Sequence, residues 1–140
     1  MSSICAHAAV DGSYYVDVVI GSRCFHLMID SGFVDSLDEV GIALEGPIFD
    51  LMTSTGILQN PKLRLSFDAN GNQYYVNTAW AVAQLVDSTT AALVGPKVRV
   101  RASRGHPGVA SRVGVAFFHR LAGCRVIWDL DQRTWCIAYP

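Results

Sequence analysis

Leu27, Met28 and Ile29 run toward a core, and the run stops at Asp30, Ser31 and Gly32. A carboxylate at the end of an apolar strand is costly to ionise unless something pairs with it or uses it. Gly32 lets the backbone turn sharply and approach a neighbour closely. A strand that delivers an aspartate into a tight turn is a candidate site for general acid or base chemistry. Asp-Ser-Gly is also an ordinary turn, and the bare tripeptide is far more often that than a catalytic site.

Other chemistries find less support. His7, His26, His106 and His119 have no metal-ligand spacing and read as core or surface histidines, so no metal or cofactor is expected. Ser31 lacks the Gly-x-Ser-x-Gly elbow of a hydrolase nucleophile. Trp80, Trp128 and Trp135 read as core or interface residues. Cys5, Cys24, Cys124 and Cys136 form no Cys-x-x-Cys pair and are expected to be reduced, buried thiols.

The elements that must position Asp30 are strands. Tyr14 to Ile20 is β-branched and aromatic, Gly21-Ser22-Arg23 is a hairpin turn, and Cys24 to Ile29 runs back to Asp30. Ile48 to Met52 reads as a short extended run, and Thr53-Ser54-Thr55-Gly56 as the small polar tip of a mobile hairpin. Lys62 to Phe67 alternates polar with apolar, turns through Asp68 to Asn72, and returns along Gln73 to Ala83. Asp87 to Thr90 is placed to cap a short helix through Leu93. Lys97 to Arg101 alternates like an edge strand guarded by its charges. Val113 to Val115 reads as a short buried strand and Ala116 to Cys124 as a short helix. Arg125 to Leu130 and Thr134 to Tyr139 form a final hairpin. The reading is a single all-β domain over residues 1–140 with one short C-terminal helix.

With 51% hydrophobic and 16% charged residues, the chain must bury much of itself, and disorder is excluded. A net charge of -1 gives no overall footprint for nucleic acid. Five of the eleven Lys and Arg do fall between Lys97 and Arg112, but no aromatic residues are interleaved with them, so a solvated edge is expected there. No segment has the ~18 consecutive apolar residues of a membrane span. The first residues lack a basic stretch followed by an apolar one, which points to an intracellular, cytoplasmic protein.

Three separated pieces of the chain, in order, carry a likeness. Tyr15 to Gly21 followed by Phe25 to Gly32 resembles the opening hairpin and hydrophobic-hydrophobic-Asp-Thr/Ser-Gly motif of the retropepsin-like aspartic proteases. That family of single-lobe enzymes includes the retroviral proteases. Thr53 to Gly56 stands where the family has its glycine-containing flap tip. Val113 to Phe118, with Val126 to Asp129 and Trp135 to Ala138, is similar to the family's C-terminal helix and closing strands. Two features depart from the pattern. Phe33 follows the glycine where the family usually has Ala or Ser, and residues 85–111 look like an insertion.

The resemblance implies a retropepsin-like β-barrel lobe and a homodimeric aspartic endopeptidase without a cofactor. Asp30 from each of two chains would meet on a two-fold axis, because one motif per chain supplies only half of a carboxylate pair. Ser31 would brace the two loops across the dimer, and Gly32 would permit their close approach. Phe33, Thr53, Ser54, Thr55 and Gly56 would contact a peptide substrate. The termini, Ile4 to Ala9 and Cys136 to Tyr139, would form a sheet between subunits. Two alternatives stay open: acid–base chemistry on a small molecule by the same scaffold, and a non-catalytic dimerisation or peptide-binding module.

Overall fold

The computed structural model describes residues 2–140. Ten strands and two helices follow one another in this order: β1 (Ser2–His7), β2 (Tyr15–Ile20), β3 (Arg23–Ile29), β4 (Val40–Leu44), α1 (Gly46–Ser54), β5 (Gln59–Phe67), β6 (Gln73–Val86), β7 (Leu93–Arg104), β8 (Arg112–Val113), α2 (Val115–His119), β9 (Arg125–Asp129) and β10 (Thr134–Tyr139). The expected all-β class holds.

The larger sheet runs β2-β3-β8-β4-β7-β6-β5, and an extra pairing of β2 with β6 closes it into a barrel. The long β6 makes closure work. Its first half pairs with β5, and residues 83–86 pair with β2 on the same edge. Strand alternation supplies the core: Val16, Val18 and Ile20 on β2 meet Phe25 and Leu27 on β3, and Ala79, Ala81 and Ala83 on β6 face Val98, Val100 and Ala102 on β7. On β2 and β3 the residues between these positions are more exposed, the signature of a sheet covered on one face, whereas on β6 and β7 Thr78, Arg101 and Ser103 are buried as well.

Two local expectations are corrected. The stretch Ile48 to Gly56 is a helix and the turn that ends it, not an extended run and hairpin tip. Pro47 sits in its first turn, where a missing N–H costs nothing, and Phe49 and Met52, three apart, face the core. Asp87 to Thr90 starts no helix: Asp87 closes a turn with Ala91 and Ala92 and leads into β7. Residues 85–111 contain β7, which is integral to the barrel. Its first half has only β6 as a neighbour, as an edge strand would, but from Arg101 onward β4 pairs with its other side. The chain therefore carries two helices where one was expected.

The termini pair within one chain as the three-stranded sheet β1-β10-β9, whose outer strands β1 and β9 each have one strand neighbour among the described residues. Cys5 lies directly opposite Cys136 in this register, and the two form a disulfide. That corrects the expectation of four reduced thiols; Cys24 and Cys124 are free. No helix among the described residues is long and apolar enough to cross a membrane.

Candidate active site

Asp30 leaves β3 where that strand runs parallel to β8, with Met28 beside Arg112 and Ile29 beside Val113. The turn is fixed by its own backbone. Asp30 N–H donates to the Val113 carbonyl at 2.9 Å, and Phe33 N–H donates back to the Asp30 carbonyl at 3.1 Å. Gly32 N–H donates to Asp30 Oδ1 at 3.0 Å, so the carboxylate organises the turn that displays it. Ser31 and Gly32 are exposed and Asp30 is half-buried, which leaves the motif facing out of the barrel.

The second oxygen of Asp30 is occupied. Arg112 Nη1 donates to Oδ2 at 2.6 Å, across 82 residues of sequence. Both side chains keep about a quarter of their surface exposed, 25% for Arg112 and 27% for Asp30, so the pair is wet at one side. A guanidinium at that distance holds the carboxylate in one orientation.

A cavity of about 220 Å³ opens beside this pair, lined by Phe33, Asp35, Arg64, Tyr74, His106 and Arg112 among others. Its roof is the β5–β6 hairpin, whose Arg64, Ser66, Tyr74 and Val76 alternate inward by the two-residue period of a strand. Two contacts hold the roof in place. Arg64 makes a two-pronged pair with Asp35, both bonds 2.9 Å, and the Tyr74 and His106 rings lie 5.2 Å apart.

Asp35 is the strongly organised acid here. Burial alone would push its carboxyl up. The N–H groups of Val40 and Glu39 and the Arg64 guanidinium outweigh that and hold it below the usual carboxylate value.

The residues expected at the site separate into two groups. Asp30, Ser31, Gly32 and Phe33 stand together, and the Phe33 ring lines the cavity. Thr53, Ser54, Thr55 and Gly56 end α1, with the three hydroxyls turned back onto carbonyls of that helix. None of them lines the cavity. The next residue, Ile57, packs on Gly21, at the opposite end of β3 from Asp30. The reading of residues 53–56 as a flap tip over the motif is thereby corrected. Arg112, Arg64, Asp35 and Tyr74 were not among the expected site residues. Arg112 stands directly before the Val113-Gly114 pair that was singled out, the one sequence signal that points toward it. No cluster of metal-ligating side chains occurs among the described residues.

Comparison with solved structures finds the same architecture elsewhere. One is a retropepsin-like aspartic protease from Rickettsia conorii, with a TM-score of 0.60 and 16% identity, covering 99% of this chain and 90% of that one. Likeness at this identity shows the fold, a retropepsin-like β-barrel lobe. No family model and no curated protein matches the sequence.

Proposed function

We propose that the chain is one half of a homodimeric aspartic endopeptidase, with Asp30 of each subunit forming the catalytic pair. The observation that carries this reading is the Asp30 turn, presented outward at the edge of a hairpin-roofed cavity on a single-lobe barrel. A lone carboxylate cannot both accept and donate a proton in one step; two facing ones that share a proton can. One Asp30 takes a proton from water as its oxygen attacks the peptide carbonyl carbon, and the other protonates the carbonyl oxygen. Collapse of the tetrahedral species breaks the C–N bond, and the amine leaves with a proton. Ser31 braces the paired loops, Gly32 allows their approach, and the β5–β6 hairpin takes the covering role first given to residues 53–56. Phe33 supplies an apolar wall for a substrate side chain.

The test is cleavage of a mixed peptide library by the native chain and by Asp30→Asn, with the oligomeric state of both followed by sedimentation. The proposal expects a cleaving dimer and a dimeric Asp30→Asn protein that cuts nothing. Cleavage by Asp30→Asn at the native rate would sink it.

One observation favours a second reading, a non-catalytic dimerisation or peptide-binding module. Arg112 satisfies Asp30 within a single chain, so the carboxylate has a structural use without any partner. That reading expects no cleavage by the native protein at any pH.

A further inference from the structure

The basic stretch from Lys97 to Arg112 has no aromatic residue of its own, but the fold supplies one from the next strand. Trp80 on β6 lies directly opposite Arg101 on β7, and Arg99 is its diagonal neighbour on the same face. Arg120, just past α2, approaches the same ring. The three guanidinium carbons stand 4.0 Å, 4.4 Å and 5.9 Å from the Trp80 ring centroid for Arg99, Arg101 and Arg120. Ala79, Ala81, Val98 and Val100 fill the inward positions of these strands, so the cluster occupies the barrel's outer surface.

The charges of this cluster are unevenly answered. Arg101 is buried, donates to Thr78 Oγ1 at 3.3 Å and pairs with Glu39 at 3.6 Å. Arg120 gives one N–H to the Asp38 backbone carbonyl, and its buried Nε has no acceptor. Arg99 is exposed, and neither it nor Arg120 forms an ion pair with an acidic side chain among the described residues. Lys97 adds an exposed cation on the same face of β7. Like charges gathered on one indole repel one another, and the negative face of the ring offsets this only in part. Glu39, the one carboxylate paired with the cluster, is shared with Arg64, 3.8 Å away in the wall of the cavity.

We propose that Trp80, Arg99 and Arg120, with Lys97 at the margin, form a docking site for an acidic segment of a polypeptide. Lys97 and Arg99 follow one another along one face of β7, with Arg120 reaching the same ring from past α2, which suits carboxylates spaced along an extended chain better than a compact anion. A nucleic acid fits less well. The chain's net charge is -1, and Asp38 and Glu39 interrupt the basic surface on one side. Glu39 links Arg101 of the cluster to Arg64 in the cavity wall, so the patch neighbours the cavity beside Asp30. The docking site does not depend on the peptidase reading, and Asp30→Asn protein should bind as the native chain does.

Calorimetric titration tests this, with a blocked peptide of alternating Asp and Ser, its Asn-for-Asp counterpart, inorganic phosphate and a short DNA duplex as probes. The acidic peptide should bind native and Asp30→Asn protein alike, more weakly as salt rises. Arg99→Gln and Arg120→Gln should each weaken it about tenfold, the worth of one charge-assisted hydrogen bond. Arg125→Gln, an exposed arginine on β9, should change nothing, which separates a site from general charge loss. The proposal is overturned by no binding, by equal binding of the Asn peptide, or by an equal loss in Arg125→Gln. Phosphate or duplex binding as tight as the acidic peptide overturns it as well.

Discussion

Asp35 and Arg64 tie the loop after the Asp30 turn to the roof of the cavity through two parallel hydrogen bonds of 2.9 Å each. Only 13% of either side chain is exposed, so little water competes for the pair. The same Asp35 carboxylate also accepts from the Glu39 and Val40 N–H groups, and its ionised form is therefore the one the fold uses.

Removing that charge should loosen the roof before it unfolds the barrel. Asp35→Asn is expected to cost about 2 kcal/mol, the scale of a hydrogen bond to a charged group left half-made. Amide exchange should speed up along β5 and the first half of β6 while β2 and β3 stay protected. The pH dependence has a definite sign. A carboxyl held below its ordinary value contributes stability that is whole above about pH 4 and is lost as pH falls through the folded value. Relative to the intrinsic exchange rate at each pH, protection of the hairpin amides should thus fall in acid in the native protein, and in Asp35→Asn it should not.

Arg112 separates the two readings of Asp30. If the ion pair is structural, Arg112→Leu leaves a half-buried carboxylate alone and costs about 1 kcal/mol, with no activity gained. If Asp30 belongs to a catalytic pair, the guanidinium competes with the partner's carboxylate for Oδ2. Arg112→Leu should then raise kcat against a library peptide. Turnover and urea denaturation measured on the same variant decide between these outcomes.

The disulfide between Cys5 and Cys136 closes a loop spanning 131 residues of sequence separation. Chain-entropy arguments give a closure of that length about 5 kcal/mol. Cys5→Ser should lower the urea-unfolding free energy by that amount, and a reducing agent should do the same to the native chain. The native and Cys5→Ser proteins should become alike under reduction. A midpoint indifferent to reductant in the native chain would show that the bridge contributes nothing.

What the sequence disclosed was local. The β2–β3 hairpin, the Asp30 turn and the Lys62 to Ala83 hairpin follow from two-residue alternation and turn residues within a few positions of one another. The helix α1 also left a local trace, Gly46-Pro47 followed by Phe49 and Met52 at helical spacing, but the polar Thr53-Ser54-Thr55-Gly56 end drew the reading toward a hairpin tip. The unread features join distant parts of the chain. Arg112 reaches Asp30 only because β3 and β8 run parallel, Arg64 reaches Asp35 only once the hairpin folds over, and Cys5 meets Cys136 only in the register of β1 on β10. The basic run on β7 looked bare of aromatics for the same reason: its tryptophan sits across the strand, not along it.

Phe33 sits in a mould that the chain holds open with a glycine. Its N–H donates to the Asp30 carbonyl, its own carbonyl accepts from Val115 N–H, and its ring covers Gly114. A Cβ at position 114 would collide with the Phe33 carbonyl oxygen and lie 2.7 Å from its ring, so glycine is required there by close approach rather than by backbone angle. Gly114→Ala should therefore displace the residue next to the Asp30 turn, at about 2–3 kcal/mol on the scale of core overpacking. Phe33→Ala has the opposite geometry, enlarging the cavity wall without forcing the turn. If Phe33 shapes a substrate pocket, Phe33→Ala should change which library peptides are cut while Asp30 keeps its place, and Gly114→Ala should depress cleavage of all of them. Identical cleavage profiles for native and Phe33→Ala protein would remove Phe33 from the substrate wall.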